Sequence, residues 1–210
     1  MPKDPAPSPG NAADSATDSA AATGSAYEDW TDEDEHEAPE PVVETAVEDD
    51  LFGAITVRLD TRQGEVTVEG ESVPRVVLRR TAGTEAADHI PVGTRDGTLL
   101  TLTVDGEEAA ITPAKGRLTR RSYRVDVDHA GHGRRLVPDS IPGSRLLRDE
   151  QHVGDFTSGG DGRVQAEWRE DTAPNATDAA LGYALAAAFG TGAQPMWMIA
   201  IEMIGDMIPG

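Results

Sequence analysis

The stretch at residues 175–190, NATDAALGYALAAAFG, decides how the rest of the chain must be arranged. Asn175 or Thr177 offers a side-chain oxygen for a helix N-cap, and Asp178 suits the positive end of the helix dipole. Gly190 and Gly192, with Pro195 shortly after, supply a stop. Leu181, Leu185, Ala188 and Phe189 fall on one helical face, and the opposite face of Ala180, Ala184 and Ala187 is no more polar. A helix that is apolar all round needs cover on every side. Three settings provide it. A membrane span is opposed by the Gly-Thr-Gly break, by Gln194 and Pro195, and by the lack of basic flanks. A partner-binding or membrane-surface helix would use Met196, Trp197, Met198 and Met203 as adaptable contacts, but it lacks the usual Lys or Arg on a polar face. The third setting, a core helix inside the chain's own strand barrel, fits best, because a closed barrel needs something to fill it. Residues 196–208, MWMIAIEMIGDMI, suit a second helix, with Glu202 and Asp206 four apart, slightly better than a strand carrying Ile199, Ile201 and Ile204.

The residues before this helix read as antiparallel sheet. In GAITVRLD at 53–60, Ile55, Val57 and Leu59 alternate with Thr56 and Arg58. Val66 and Val68 do the same in GEVTVEGE, and SYRVDVD sets Tyr123, Val125 and Val127 against Arg124 and Asp126. A period of two marks half-buried strands. Turn chemistry separates them at 62–65 (RQGE), 95–98 (RDGT), 104–107 (VDGE), 128–133 (DHAGHG) and 158–163 (SGGDGR). No strand alternates with a long helical stretch, which argues against a parallel α/β sheet. The spacing predicts about ten to twelve short strands, as in a barrel or sandwich.

Charge is unevenly placed. The 210 residues carry a formal net charge of −20. Residues 1–50 hold 15 acidic side chains and one basic, whereas the rest hold 23 and 17. The first 26 residues are rich in Pro, Ala, Ser and Asp and nearly free of large apolar side chains, so they predict disorder. Residues 27–50 are acidic, with Tyr27 and Trp30 as candidate partner contacts; the plainer role is a solvating tail. So acidic a chain repels phosphate backbones, which excludes non-specific nucleic-acid binding. There is no cysteine, which rules out thiol chemistry and disulfides and fits a reducing compartment. The start has no signal-peptide core, so a cytoplasmic location is expected, with membrane association as an addition. Arginine far outnumbers lysine, present only as Lys3 and Lys115, and with abundant Ala, Gly and Asp this reads as a GC-rich bacterial genome.

The run RRSYRVDVDHAGHGRRLVPDSIPGSRLLRDEQHVGDF at 120–156 resembles the hairpin ladder of the tubby C-terminal-like superfamily, which includes the phospholipid-scramblase and LURP-one-related proteins. The resemblance lies in an aromatic-led strand at Tyr123, a glycine turn at Gly131, the Val-Gly-x-aromatic strand HVGDF at 152–156, and an apolar helix after the last strand, RVQAEWRE. It covers roughly residues 51–190. It implies a strand barrel closed around a buried C-terminal helix, and a binding or membrane-associated scaffold, some relatives engaging phosphoinositides or other lipids. Fold does not fix function.

Two clusters carry chemistry. Arg120, Arg121, Arg124, Arg134 and Arg135, with Arg117, form the one basic concentration in an acidic chain. On paired strands, Arg120 or Arg124 is expected beside Arg134, as a bidentate site for a phosphate head group or carboxylate, or as a dock for the acidic residues 28–40. Ordinary cross-strand pairing with Asp and Glu is the plainer expectation. Asp126, Asp128, His129 and His132 offer carboxylates and imidazoles to a divalent metal, although their spacing matches no recognised ligand motif, and a polar hairpin explains them as well. No nucleophile elbow, phosphate loop or dinucleotide fingerprint is present. NAT at 175–177 reads as a helix start more readily than as a glycosylation acceptor.

The expected architecture is mainly β, with some α. A disordered acidic region spans residues 1–50, an antiparallel barrel-like or sandwich domain residues 51–170, and an apolar C-terminal helical segment, packed with that domain, residues 171–210. The expected function is non-catalytic binding or scaffolding, without a cofactor, toward a protein partner or an anionic lipid through the Arg cluster. The alternatives are a membrane-anchored accessory protein whose tail, including Trp197, inserts in lipid, and a metal-dependent enzyme using His129 and His132.

Overall fold

A computed structural model of the protein describes residues 42–116 and 119–190. The expectations for Tyr27, Trp30, Trp197, the acidic residues 28–40 and residues 196–208 lie outside the described residues.

Eleven strands form one sheet in strict chain order. They are β1 (Val42–Asp49), β2 (Gly53–Asp60), β3 (Glu65–Gly70), β4 (Val73–Arg80), β5 (Leu100–Val104), β6 (Glu107–Pro113), β7 (Val125–His129), β8 (His132–Pro138), β9 (Gly143–Arg148), β10 (Gln151–Ser158) and β11 (Val164–Trp168). Every ladder is antiparallel. The sheet curls into a nearly closed barrel around one helix, α1 (Ala176–Phe189).

The local causes are those of the sequence pattern. Ile55, Val57, Leu59, Val66, Val68, Val125 and Val127 all point inward and are buried. Three hairpins turn on two residues at positive φ: Asp105-Gly106, Ala130-Gly131 and Asp149-Glu150. Such turns match the right-handed twist of the flanking strands. The 95–98 stretch makes no hairpin. It ends a long connection, residues 81–99, in a 3₁₀ turn at Gly97–Leu99 that Asp96 caps through Thr98 N. Tyr123 is not a strand residue either; it closes a 3₁₀ turn at Arg120–Tyr123.

The acidic region ends earlier than residue 50. In β1, Val43, Thr45 and Val47 are half-buried while Val42, Glu44, Ala46 and Glu48 are exposed. The two glutamates sit on the solvent face of a real strand, so counting acids hid a period of two.

An antiparallel meander reverses direction at each strand, so its first and eleventh members run the same way. β1 and β11 are neighbours that share no ladder. Side chains close this seam instead. The Asp49 carboxylate accepts Trp168 Nε1–H, at 3.0 Å to either oxygen, and the Phe52 ring meets Trp168 edge-on at 5.4 Å. At the other end, Gly162 lies so close to Val43 that a Cβ would be 3.4 Å from Val43 Cγ1.

α1 packs against β2, β3, β4, β8, β9, β10 and β11, so it is covered on every side. All its residues from Asp178 to Phe189 are buried. Asn175 is the N-cap and forms a reciprocal capping box with Asp178. Two glycines let aromatic rings link helix and wall. A Cβ on Gly182 would lie 2.2 Å from Phe156 Cζ, and one on Gly154 would lie 2.8 Å from Trp168 Cε3. Trp168, Phe156 and Tyr183 therefore stack edge-to-face, each pair at 5.5 Å.

Helix propensity alone makes Gly182→Ala stabilising by about 1 kcal/mol. Here the methyl meets a ring wedged between two others, and overpacking of this kind costs about 1–3 kcal/mol. Gly182→Ala should therefore lower the urea unfolding midpoint, and a raised midpoint would contradict this packing.

Candidate functional site

The Arg cluster is divided between the barrel's interior and its own acidic partners. Arg134, on β8, is not a surface residue: its side chain points inward and is 3% exposed, with Nε 2.8 Å from Asp178 Oδ1. Arg148, its cross-strand partner on β9, places Nη1 2.5 Å from Asp178 Oδ2. Two facing cations thus share one fully buried carboxylate at the helix N-terminus, where negative charge is also favoured by the helix dipole. This is why Arg134 does not join Arg120 or Arg124: an inward-facing strand position took it to the helix.

Outside, Asp126 receives both Arg124 Nε, at 3.2 Å, and Arg135 Nε. Arg135 also reaches Glu150 at 3.2 Å, and its pKa is raised, mainly by the hydrogen bond to Asp126. Arg121 is exposed on the 3₁₀ turn. Arg120, from the same turn, donates to the Ser140 carbonyl at 3.5 Å. Arg124, Arg134 and Arg135 are thus each paired with a carboxylate of the chain itself, and Arg117 lies outside the described residues.

The metal candidates are spread along one hairpin. Asp126 is taken by arginines; Asp128 faces Gly133 across the ladder, and His129 faces His132. His132 Nδ1 lies 2.8 Å from Asp149 Oδ2, and this bond, with one from Gly133 N, holds the Asp149 carboxyl below its ordinary range. Among the described residues, no three His, Asp or Glu side chains come together to hold a metal ion.

The concave site lies elsewhere, at the mouth of the barrel where α1 ends. A cleft of about 710 Å³ opens there. One wall is the connection 81–99, through Ala86, Ala87, Asp88, His89, Ile90, Pro91 and Gly93. Val92 N of this connection bonds the Ala188 carbonyl at 3.0 Å, tying the wall to the helix end. The opposite wall is the β10–β11 turn, Ser158 to Asp161, beside Ile141 and Pro142, and Ser158 N bonds the Pro142 carbonyl at 3.1 Å. Val43, Leu59, Thr61, Arg62, Arg120, Phe189 and Gly190 complete the lining.

Two buried arginines stand behind this lining. Arg80 is 9% exposed; its Nη2 donates to the Arg62 carbonyl at 2.9 Å, while its Nη1 has no partner. Arg95 is 8% exposed and donates to the carbonyls of Ala114, Tyr123 and Arg124. Its guanidinium also lies 5.0 Å from the Phe189 ring centre. Burial pulls the Arg95 pKa down to about 10. The last turn of α1 has no basic residue of its own, and Arg95, beside Phe189, is a cation near the helix's negative end. Sequence reasoning missed this site because the 81–99 connection has no alternation, and nothing in the chain order brings Arg62, His89 and Phe189 together.

The chain matches no family model, no curated protein and no solved structure in comparisons with each.

Two outcomes follow from the buried groups. Asp178→Asn leaves Arg134 and Arg148 facing each other without a counter-charge, and should destabilise the protein by about 3–5 kcal/mol in urea unfolding; a loss under 1 kcal/mol would contradict the role given to Asp178. Burial, with help from Asp49, raises the Tyr183 pKa above the usual tyrosine range. Its hydroxyl donates to Asp49 Oδ2 at 2.8 Å. The stability this adds is complete below the unfolded phenol pKa of about 10 and is lost as pH rises above it. The stability difference between wild type and Tyr183→Phe should be constant from pH 7 to 9 and shrink beyond pH 10. A difference that grows there would have the wrong sign.

Proposed function

We propose that this protein is a non-catalytic binding module that takes a small, largely apolar molecule in the cleft at the helix C-terminal mouth of its barrel. The observation that carries the reading is the cleft itself. Its volume of about 710 Å³ falls in the range of small-molecule sites, roughly 300–1,000 Å³. Ile90, Pro91, Leu59, Ile141 and Phe189 give it an apolar lining, with a few polar groups besides. Mouths of β-barrels are a preferred place for such sites.

A binding role suits the cleft better than a catalytic one. Ser158 and His89 both line it, but no hydrogen bond joins them among the described residues, and Ser158 Oγ instead accepts Gly160 N at 3.2 Å. A nucleophile needs its base within hydrogen-bond reach. We also propose kinship with the tubby C-terminal-like superfamily; the meander wrapped around an apolar helix, and the packing of Gly154 and Phe156 from HVGDF, support it.

The test titrates the full chain with a neutral fluorescent apolar probe, 1-N-phenylnaphthylamine. Saturable one-site binding is expected. Ala86→Trp, on an exposed lining position, should fill the cleft and weaken binding by about tenfold, about 1.4 kcal/mol, with the unfolding midpoint kept. Absence of saturable binding, or equal binding by the folded variant, would remove the reading.

A further inference from the structure

We infer that the molecule held in this cleft carries an anionic head on its apolar body, met by Arg62 in the lining and favoured by the charge of the buried Arg80 behind Gly93. The inference rests on the cleft being the binding site and names the class of ligand it takes.

Arg62 is exposed in the lining, and its guanidinium makes no hydrogen bond or ion pair among the described residues. Arg80 is a different kind of cation. It is more than nine-tenths buried, no carboxylate lies within ion-pair distance of it among the described residues, and Nη1 is unpartnered. With no carboxylate beside it, its charge is left without a direct counter-charge inside the barrel. A Cβ on Gly93 would lie 1.9 Å from Arg80 Nη1, so the guanidinium packs against the backbone of a cleft residue without lining the cleft itself. The bond from Arg80 to the Arg62 carbonyl holds the two arginines next to each other.

The opposing charges do not cancel these. Asp161 lines the cleft but is drawn to Arg163, at 3.4 Å, and caps Arg163 N in its own turn. Asp88 is exposed, where water and salt screen it. The negative end of α1 contributes roughly half a unit charge, against full charges on Arg80 and Arg95. Buried charges are screened less than exposed ones, which favours the cations behind the cleft, although the buried Asp60, two residues before Arg62, offsets part of their charge.

The test uses the full chain and four single-chain probes of one length, each below its micelle concentration: decanoate, decyl phosphate, decanol and decylammonium. Each competes with 1-N-phenylnaphthylamine. Both anions should compete about tenfold better than decanol, the worth of one charge-assisted hydrogen bond, and the ammonium worse than decanol. The ratio of decanoate to decyl phosphate separates a carboxylate from a phosphate head. Added salt should narrow the gap between the anions and decanol, and Arg62→Gln should narrow it at constant salt. Arg80→Lys, which keeps the charge, should hold more of the preference than Arg80→Gln. Decanol equal to the anions, or decylammonium strongest, would overturn the anionic head while leaving the cleft reading intact. If the neutral fluorescent probe itself does not bind, the cleft reading falls and this inference with it.

Discussion

A helix with no polar face imposes one requirement: it must be walled in completely. α1 meets it by standing inside a sheet that wraps nearly the whole way round. At about 1.5 Å per residue its fourteen residues span about 21 Å, close to the length of a strand of six or seven residues, so helix and barrel are matched in height. The fit is set by small residues as much as large ones. Alanines let the wall approach the helix, and Gly182 gives Phe156 its place. The odd number of strands leaves a seam without a ladder, and the seam is where the helix is tied in. Asp49 accepts bonds from Trp168 on β11 and from Tyr183 on α1 together, so one carboxylate holds the first strand, the last strand and the core.

The two ends of the helix are treated differently, and the cleft follows from the difference. At the N-terminus, Asp178 closes the capping box and binds two arginines, so that end is sealed by charge. At the C-terminus, Arg95 comes from the long connection to lie against Phe189, and the carbonyl of Ala188 is met by Val92 N. The connection that supplies these groups also stands away from the β10–β11 turn, which leaves the cleft. The cleft at this mouth is thus a by-product of how the helix terminus is satisfied.

The architecture was legible because its causes are local. Alternation marked Ile55, Val57 and Leu59 as inward-facing, the turn residues at 104–107 and 128–133 marked hairpins although Asp96-Gly97 did not, and the all-round apolar helix demanded a barrel to hold it. β1 was hidden because Glu44 and Glu48 raised the acidity of a segment whose alternate residues were still half-buried. The site was much less legible. An arginine reads as a surface charge, and nothing in RRLVP says that Arg134 turns inward while Arg135 turns out, until the register with β9 places it over Asp178. Arg80 and Arg95 carry no sequence mark at all, because their burial depends on a connection that crosses the barrel mouth.

The central claim is that α1 is the core about which the barrel closes, and native-state hydrogen exchange tests it most directly. The amides of residues 181–188 should be among the slowest in the protein and should exchange only by global unfolding, with the same free energy and denaturant dependence as urea unfolding. Exchange of those amides through a smaller opening, while the amides of β2, β3 and β4 stay protected, would show a barrel that stands without its helix and would contradict the account.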